Sequence, residues 1–216
     1  MTTSFITSVY GRTETEYIVK KSRFIATLAE VRSEAEAAAC IEKLRKQYWD
    51  ANHNCYAYQI GVDGALQKSS DDGEPSGTAG RPMLETLKKS GVTNTVVVVT
   101  RYFGGVKLGA SGLIRAYSHA VTLGLQAANI ADYKPYDIAD VTVSYSFVST
   151  LERMTPSFDI LVADRAFSDT VTFTLQIPQE RTEAFKAALI DTTNGTAHFT
   201  DKGSRTIPII RPKNPQ

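Results

Sequence analysis

The stretch VVVVTRYFGGVKLGASGLIRAY, residues 96–117, decides the fold. Val96 to Val99, between Thr95 and Thr100, form an unbroken β-branched run, the pattern of a strand covered on both faces and central in its sheet. The following GGVKLGASG is too rich in glycine to hold a regular element. A long helix then runs from about Ser111 to Asn129, with Leu113, Tyr117, Ala120, Val121, Leu125 and Ala128 facing one way. Strand, glycine-rich turn and amphipathic helix in that order predict a domain that mixes sheet and helix.

Upstream, SSDDGEPSGTAGRP at 69–82 repeats the design, because it empties onto a helical pattern of Met83, Leu84 and Leu87 that stops at Gly91. Cys55 to Val62 alternates as a strand, with Gln67 to Ser69 as its hairpin partner after Asp63-Gly64. Ala37, Ile41, Leu44 and Tyr48 mark a helix from Ser33, whose N-cap position and the Glu36 three residues on form a capping box. Residues 17–31 read as a strand interrupted by Lys20-Lys21-Ser22-Arg23.

Downstream, the helical pattern fails near Asn129, and Tyr133-Lys134-Pro135 reads as a linker. A strand over 136–147, a short helix over 150–154 ended by Pro156, a hairpin of 158–166 with 169–177, a helix over 180–190 and a strand over 196–200 give the βαββαβ order of a ferredoxin-like domain. The expected organisation is α+β, with domains at 1–132 and 136–205 and a flexible, proline-bearing tail at 206–216.

Composition limits the functional classes. An apolar share of 42% and a charged share of 22% are those of a folded globular chain. Residues 1–134 hold 16 Lys+Arg against 13 Asp+Glu, whereas 135–216 hold 8 against 10, so the halves carry +3 and −2. That asymmetry is far below the footprint of a strong nucleic-acid binder. Two cysteines, Cys40 and Cys55, with no apolar leader and no run near the ~20 residues of a membrane span, point to a reduced, cytoplasmic protein with no membrane partner.

The loops are where chemistry is expected. Gly104 to Ser111 has the spacing of a phosphate-binding P-loop, but Ala110 stands where that motif needs lysine, which argues against nucleotide hydrolysis of that type. What remains is exposed amides at a helix start with Arg101, Lys107 and Arg115 nearby, an environment that stabilises an anion; the alternative is that the glycines serve only a tight turn. In the other loop Asp71, Asp72 and Glu74 either ligate Mg²⁺ or pin the turn, with the turn favoured, while Thr78 or Ser76 caps the helix and Arg81 lies in its first turn. His53 and Cys55 share a strand face without the further groups a thiol nucleophile needs, and His119 and His198 are isolated, so neither a catalytic residue nor a metal or cofactor is assigned. For RNA, Lys20, Lys21, Arg23, Arg81, Arg101 and Lys107 offer phosphate contacts, and Tyr102 and Phe103 offer stacking faces; the alternative is a solvated charged surface.

KKSRFIA at 20–26, HNCYAY at 53–58, SDDGEPSGTAGRPML at 70–84 and the opening stretch at 96–117 together resemble the bacterial YigZ/YvyE branch of the IMPACT family. The resemblance implies an N-terminal domain of the fold shared by domain IV of elongation factor G and a small-subunit ribosomal protein, followed by a ferredoxin-like domain. Eukaryotic members restrain translational control by competing for the activator of an amino-acid-starvation kinase, using an added RWD domain. This sequence starts at the shared domain, so that partner is not expected here. The function implied is a non-enzymatic regulator of translation that binds RNA, the ribosome or a translation factor. Its expected face comprises Arg81, Arg101, Tyr102, Lys107 and Arg115 with Gly104, Gly105 and Gly109. The alternatives are an enzyme acting on a small phosphorylated or peptide-like substrate in the same cleft, with Asp71, Asp72 or Glu74 as acid, base or Mg²⁺ ligand, and a protein-binding module that docks through its acidic half.

Overall fold

The computed structural model describes residues 6–213, so residues 1–5 and the last part of the expected tail, 214–216, lie outside the described residues. The chain divides into two units, residues 1–133 with 208–216, and residues 134–207. The first contains, in order, β1 (Ile6–Tyr10), β2 (Arg12–Val19), β3 (Ser22–Glu30), α1 (Glu34–Gln47), β4 (His53–Ile60), β5 (Leu66–Ser70), α2 (Gly80–Ser90), β6 (Thr95–Tyr102), α3 (Ala110–Ala127) and the start of β7 (Asn129–Val143).

The valine run occupies the middle of an antiparallel five-stranded sheet of order β2-β3-β6-β4-β5. Strand side chains alternate between faces, and each face here has its own helical cover. Val96 and Val98 pack with Ala37, Ile41 and Leu44 of α1. Val97 and Val99 pack with Met83 and Leu87 of α2 and with Leu113, Tyr117 and Val121 of α3. All four valines are fully buried, each worth about 1.5–3 kcal/mol relative to exposure. A doubly covered strand has no polar face to maintain, which is why the run is continuous.

Three local differences from the sequence reading have physical causes. The interrupted strand at 17–31 is a hairpin whose two-residue turn, Lys20-Lys21, lies between the partners Val19 and Ser22. Both lysines have positive φ, 45° and 64°, as a type I′ turn demands, without the Gly or Asn that normally announces one. Glu36 does not complete a reciprocal capping box: Ser33 accepts from its N–H, but its carboxylate accepts from the N–H of Arg32. The expected linker at 133–135 is continuous strand, because β7 pairs with β1 up to Tyr133 and with a different strand from Tyr136. Pro135 falls between the β1 and β9 ladders, so on that side of β7 its missing N–H breaks no pair.

The second unit comprises the rest of β7, α4 (Val148–Ser157), β8 (Leu161–Phe167), β9 (Val171–Pro178), α5 (Thr182–Thr192) and β10 (His198–Ile210). Its strands follow the ferredoxin-like order β10-β7-β9-β8, around a core that includes Val141, Leu151, Phe173, Leu175 and Phe185. Pro156 sits in the last turn of α4 instead of ending it earlier. The stretch expected to be a flexible tail from 206 continues β10 to Ile210. Beyond it, Arg211 donates to Asp132 at 2.7 and 2.9 Å, and Lys213 donates to the carbonyl of Ala127. Proline content suggested disorder, but pairing and charge hold residues 206–213. No helix among the described residues is long and apolar enough to cross a membrane.

Candidate functional site

The antiparallel pairing of β4 with β6 sets His53 opposite Arg101, and β5 delivers the acidic loop beside them. The two glycine-rich loops therefore meet. A cleft of about 440 Å³ is lined by His53, Glu74, Arg101, Phe103, Lys107 and the Gly109-Ala110 start of α3.

A buried ion pair joins the acidic loop to the end of β6. Arg101 is only 5% exposed and Glu74 8%, and Nη1 of Arg101 donates to Oε1 of Glu74 at 2.6 Å. The Arg101 guanidinium lies over the rings of Phe24 and Phe103, at 5.4 and 5.6 Å from their centroids, and its Nη2 reaches Ser22 Oγ at 3.4 Å. Glu74 also accepts from the Tyr117 hydroxyl at 2.8 Å. The Cys55 thiol lies 3.3 Å from that hydroxyl and 3.0 Å from the carbonyl of Asp71. Burial, with the nearby carboxylates adding to it, pushes the Cys55 thiol up to about 12 against the opposing Tyr117 hydrogen bond. Burial likewise raises the Tyr117 hydroxyl well above its ordinary value. Both groups stay neutral, so Cys55 offers no thiolate for nucleophilic attack.

The acidic loop holds itself. Asp71 accepts from the N–H groups of Gly77, Ala79 and Gly80, each at 2.9 Å. Ala79 and Gly80 begin α2, which has no cap from its own N-cap residue; the Asp71 carboxylate takes that place. Burial acts to raise the Asp71 carboxyl, but the three backbone hydrogen bonds outweigh it and hold it below its ordinary range. Thr78 does not cap the helix; its hydroxyl donates to the carbonyl of Pro75 at 2.6 Å.

Asp72 accepts from Arg45 at 2.8 Å and from the N–H of Asn54 at 2.7 Å. Its carbonyl lies 2.8 Å from His53 Nδ1, and since a carbonyl only accepts, that nitrogen carries the proton. Nε2 of His53 is 3.9 Å from Oε2 of Glu74. All three carboxylates thus have partners within the protein. Among the described residues no group of three or more His, Cys, Asp or Glu is placed to hold a metal ion.

The second loop is built differently. Gly104 is required by space, because a Cβ there would come within 2.0 Å of the Lys21 backbone; its N–H donates to Ser22 Oγ at 3.2 Å. Gly109, the N-cap of α3, has φ 73° and ψ 165°, a conformation open essentially to glycine alone. Among the described residues no side-chain hydrogen bond caps the amide end of α3, and no acidic residue occupies its first turn. Its amide end opens on the cleft beside the exposed Lys107.

The expected face is therefore only partly assembled. Arg101, Lys107 and Gly109 line the cleft, but Arg101 is a structural cation of its wall, not the solvent-facing phosphate contact expected of it. Arg81 is exposed on the first turn of α2, away from the lining. Arg115 lines a different groove on α3. Tyr102 donates from its hydroxyl to Asp50 at 2.8 Å and carries Arg23 over its ring, while Gly105 is exposed in the loop. Ser22 and Tyr117 support the site without having been singled out. Tyr117 reads only as an apolar-face residue of α3, and nothing local marks Ser22, whose role depends on a neighbouring strand.

Residues 20–125 match the family model described as the Impact N-terminal domain, and residues 141–196 match a domain of unknown function, DUF1949. The chain is similar to the IMPACT family member YvyE of Bacillus subtilis (strain 168), 44% identical over 188 residues that cover 87% of each chain. It is also similar to the IMPACT family member YigZ of Escherichia coli (strain K12), 34% identical over 180 residues, 82% of this chain and 88% of that one. A crystal structure described as that of a hypothetical protein aligns at TM-score 0.60 and 31% identity, covering 91% of this chain and 97% of its own. Both glycine-rich loops fall inside the first matched domain.

Proposed function

The chain belongs to the IMPACT family, and on that premise we propose that it is a non-enzymatic, cytoplasmic regulator of translation that engages RNA, the ribosome or a translation factor at the start of α3. The observation that supports this reading is the N-terminus of α3, which no side chain among the described residues caps and which faces a cleft bearing Lys107. Its first-turn amides and helix dipole favour a negatively charged group, and a phosphate oxygen suits both. Phe103, 46% exposed at the same cleft, adds a stacking face.

The test is ribosome co-sedimentation together with fluorescence anisotropy on a single-stranded RNA, each across about 50–200 mM salt, where phosphate contacts govern the affinity. Lys107→Ala is expected to weaken binding and to reduce the salt slope by about 1. Binding and slope identical to those of the parent protein would sink this reading. Arg101 is the wrong probe, because its removal strands a buried carboxylate.

A further inference from the structure

Strand β2 is the outer strand of the first unit's sheet, and among the described residues nothing pairs with its free side. Sheet edges are normally blunted by shortness, bulges, proline or charge. Here β5, at the opposite edge, has five residues, β8 is broken by a register shift between Val162 and Asp164, and β10 carries Gly203 at φ 87° and Pro208. By contrast, β2 keeps unbroken register with β3 over all eight residues. Its exposed charges are already matched, Arg12 with Glu14 and Glu16 with Arg23.

The turn fixes which backbone groups are free. Val19 and Ser22 close a two-residue hairpin and exchange hydrogen bonds, so Val19, Tyr17 and Thr15 point their N–H and C=O groups at β3. Glu14, Glu16 and Ile18 point theirs outward. Beside this edge, between β2 and α3, lies a groove of about 650 Å³ with Tyr17, Val19, Leu108 and Ile114 in its lining. Lys20 and Arg115 also line it, and among the described residues no lining residue is acidic.

We propose that this edge and groove form a docking site for an extended peptide, added as a sixth strand of the sheet. Main-chain hydrogen bonds to Glu14, Glu16 and Ile18 hold the peptide. Cross-strand partners share a face, so its residues opposite Tyr17 and Val19 enter the groove and must be apolar. The cations Lys20 and Arg115 select a carboxylate near one end of the segment.

Two fluorescein-labelled peptides of alternating Thr and Val test this, one carrying two Asp residues at its N-terminal end and the other at its C-terminal end. Anisotropy is expected to show binding of at least one, weakened about tenfold or more by Ile114→Asp and about fivefold or more by Arg115→Glu, with circular dichroism confirming that both variants fold. Methylating alternate backbone amides of the bound peptide, in each of the two alternations, should abolish binding in one of them. Hydrogen exchange should slow at Glu14, Glu16 and Ile18. Lys107→Ala should leave peptide binding unchanged, so this site and the cleft at α3 stand or fall separately.

Failure of both peptides to bind overturns the proposal. So does equal binding of both methylated forms, which would show apolar adsorption without strand addition. Displacement of the peptide by a single-stranded RNA at matched ionic strength would make the groove a nucleic-acid surface and overturn it as well. A concentration-dependent dimer that protects these amides without peptide would also overturn it, since the edge would then belong to a second copy of the chain.

Discussion

The loops before α2 and α3 look alike in sequence, both glycine-rich and both emptying onto a helix, yet they finish in opposite electrostatic states. At α2 the chain supplies its own anion, and Asp71 occupies the amide end through three hydrogen bonds. At α3 no carboxylate among the described residues is seated on the amide end, which faces a cleft whose Glu74 is already paired with Arg101. A glycine-rich loop before a helix is thus insufficient to mark an anion site. What distinguishes the two is whether a carboxylate of the same chain is already seated there.

The ion pair between the acidic loop and the end of β6, from which the second loop departs, is the place to break this arrangement most severely. Glu74→Ala leaves Arg101 charged and almost fully buried with its strongest partner gone. A stranded buried charge costs about 3–5 kcal/mol, a large share of the ~5–15 kcal/mol that holds a typical domain. Urea unfolding should show that loss, and the combined change Glu74→Leu with Arg101→Met should recover most of it, because a volume-matched apolar pair removes both charges. A loss below about 1 kcal/mol for the single variant would mean that the pair does not hold the acidic loop to β6.

Removing the seated anion comes next. Asp71→Ala deprives α2 of its remote cap and should cost about 2 kcal/mol, at the upper end for a lost cap. The sign of the pH dependence follows from the lowered Asp71 carboxyl. Its contribution is fully present above the unfolded value of about 3.9 and is lost as pH falls through the lower folded value. Asp71→Asn should therefore flatten the acid limb of the stability curve below about pH 4 and leave its shape near neutrality unaltered. An acid limb identical to that of the parent would show that Asp71 does not hold the loop by charge.

Much of the fold was legible because burial leaves a periodic trace. The valines at 96–99 and the apolar stripes of α1 and α3 record which faces are covered, and the βαββαβ order can be read from alternation and turn residues. The Lys20-Lys21 turn left no trace, since the usual residue types for positive φ are absent, and β1 went unread because five residues carry too little pattern. The meeting of the loops was not legible from either of them: it depends on β4 lying beside β6, which sets His53 against Arg101. The same long-range order decides that Arg101 turns inward to Glu74, whereas a list of basic residues treats Arg101 and Lys107 alike.

The smallest expected effect gives the sharpest test of the comparison, because it makes the open helix resemble the closed one. Ser111 is exposed in the first turn of α3. Ser111→Asp places a negative charge at the amide end and should raise stability by about 0.5 kcal/mol through the helix dipole. The same charge competes with any incoming anion, so RNA or ribosome association should weaken while the fold becomes more stable. Simple structural damage would lower both quantities. Urea unfolding and salt-dependent anisotropy on one protein preparation separate the cases. If Ser111→Asp stabilises the fold and leaves binding untouched, the amide end of α3 is open without being used.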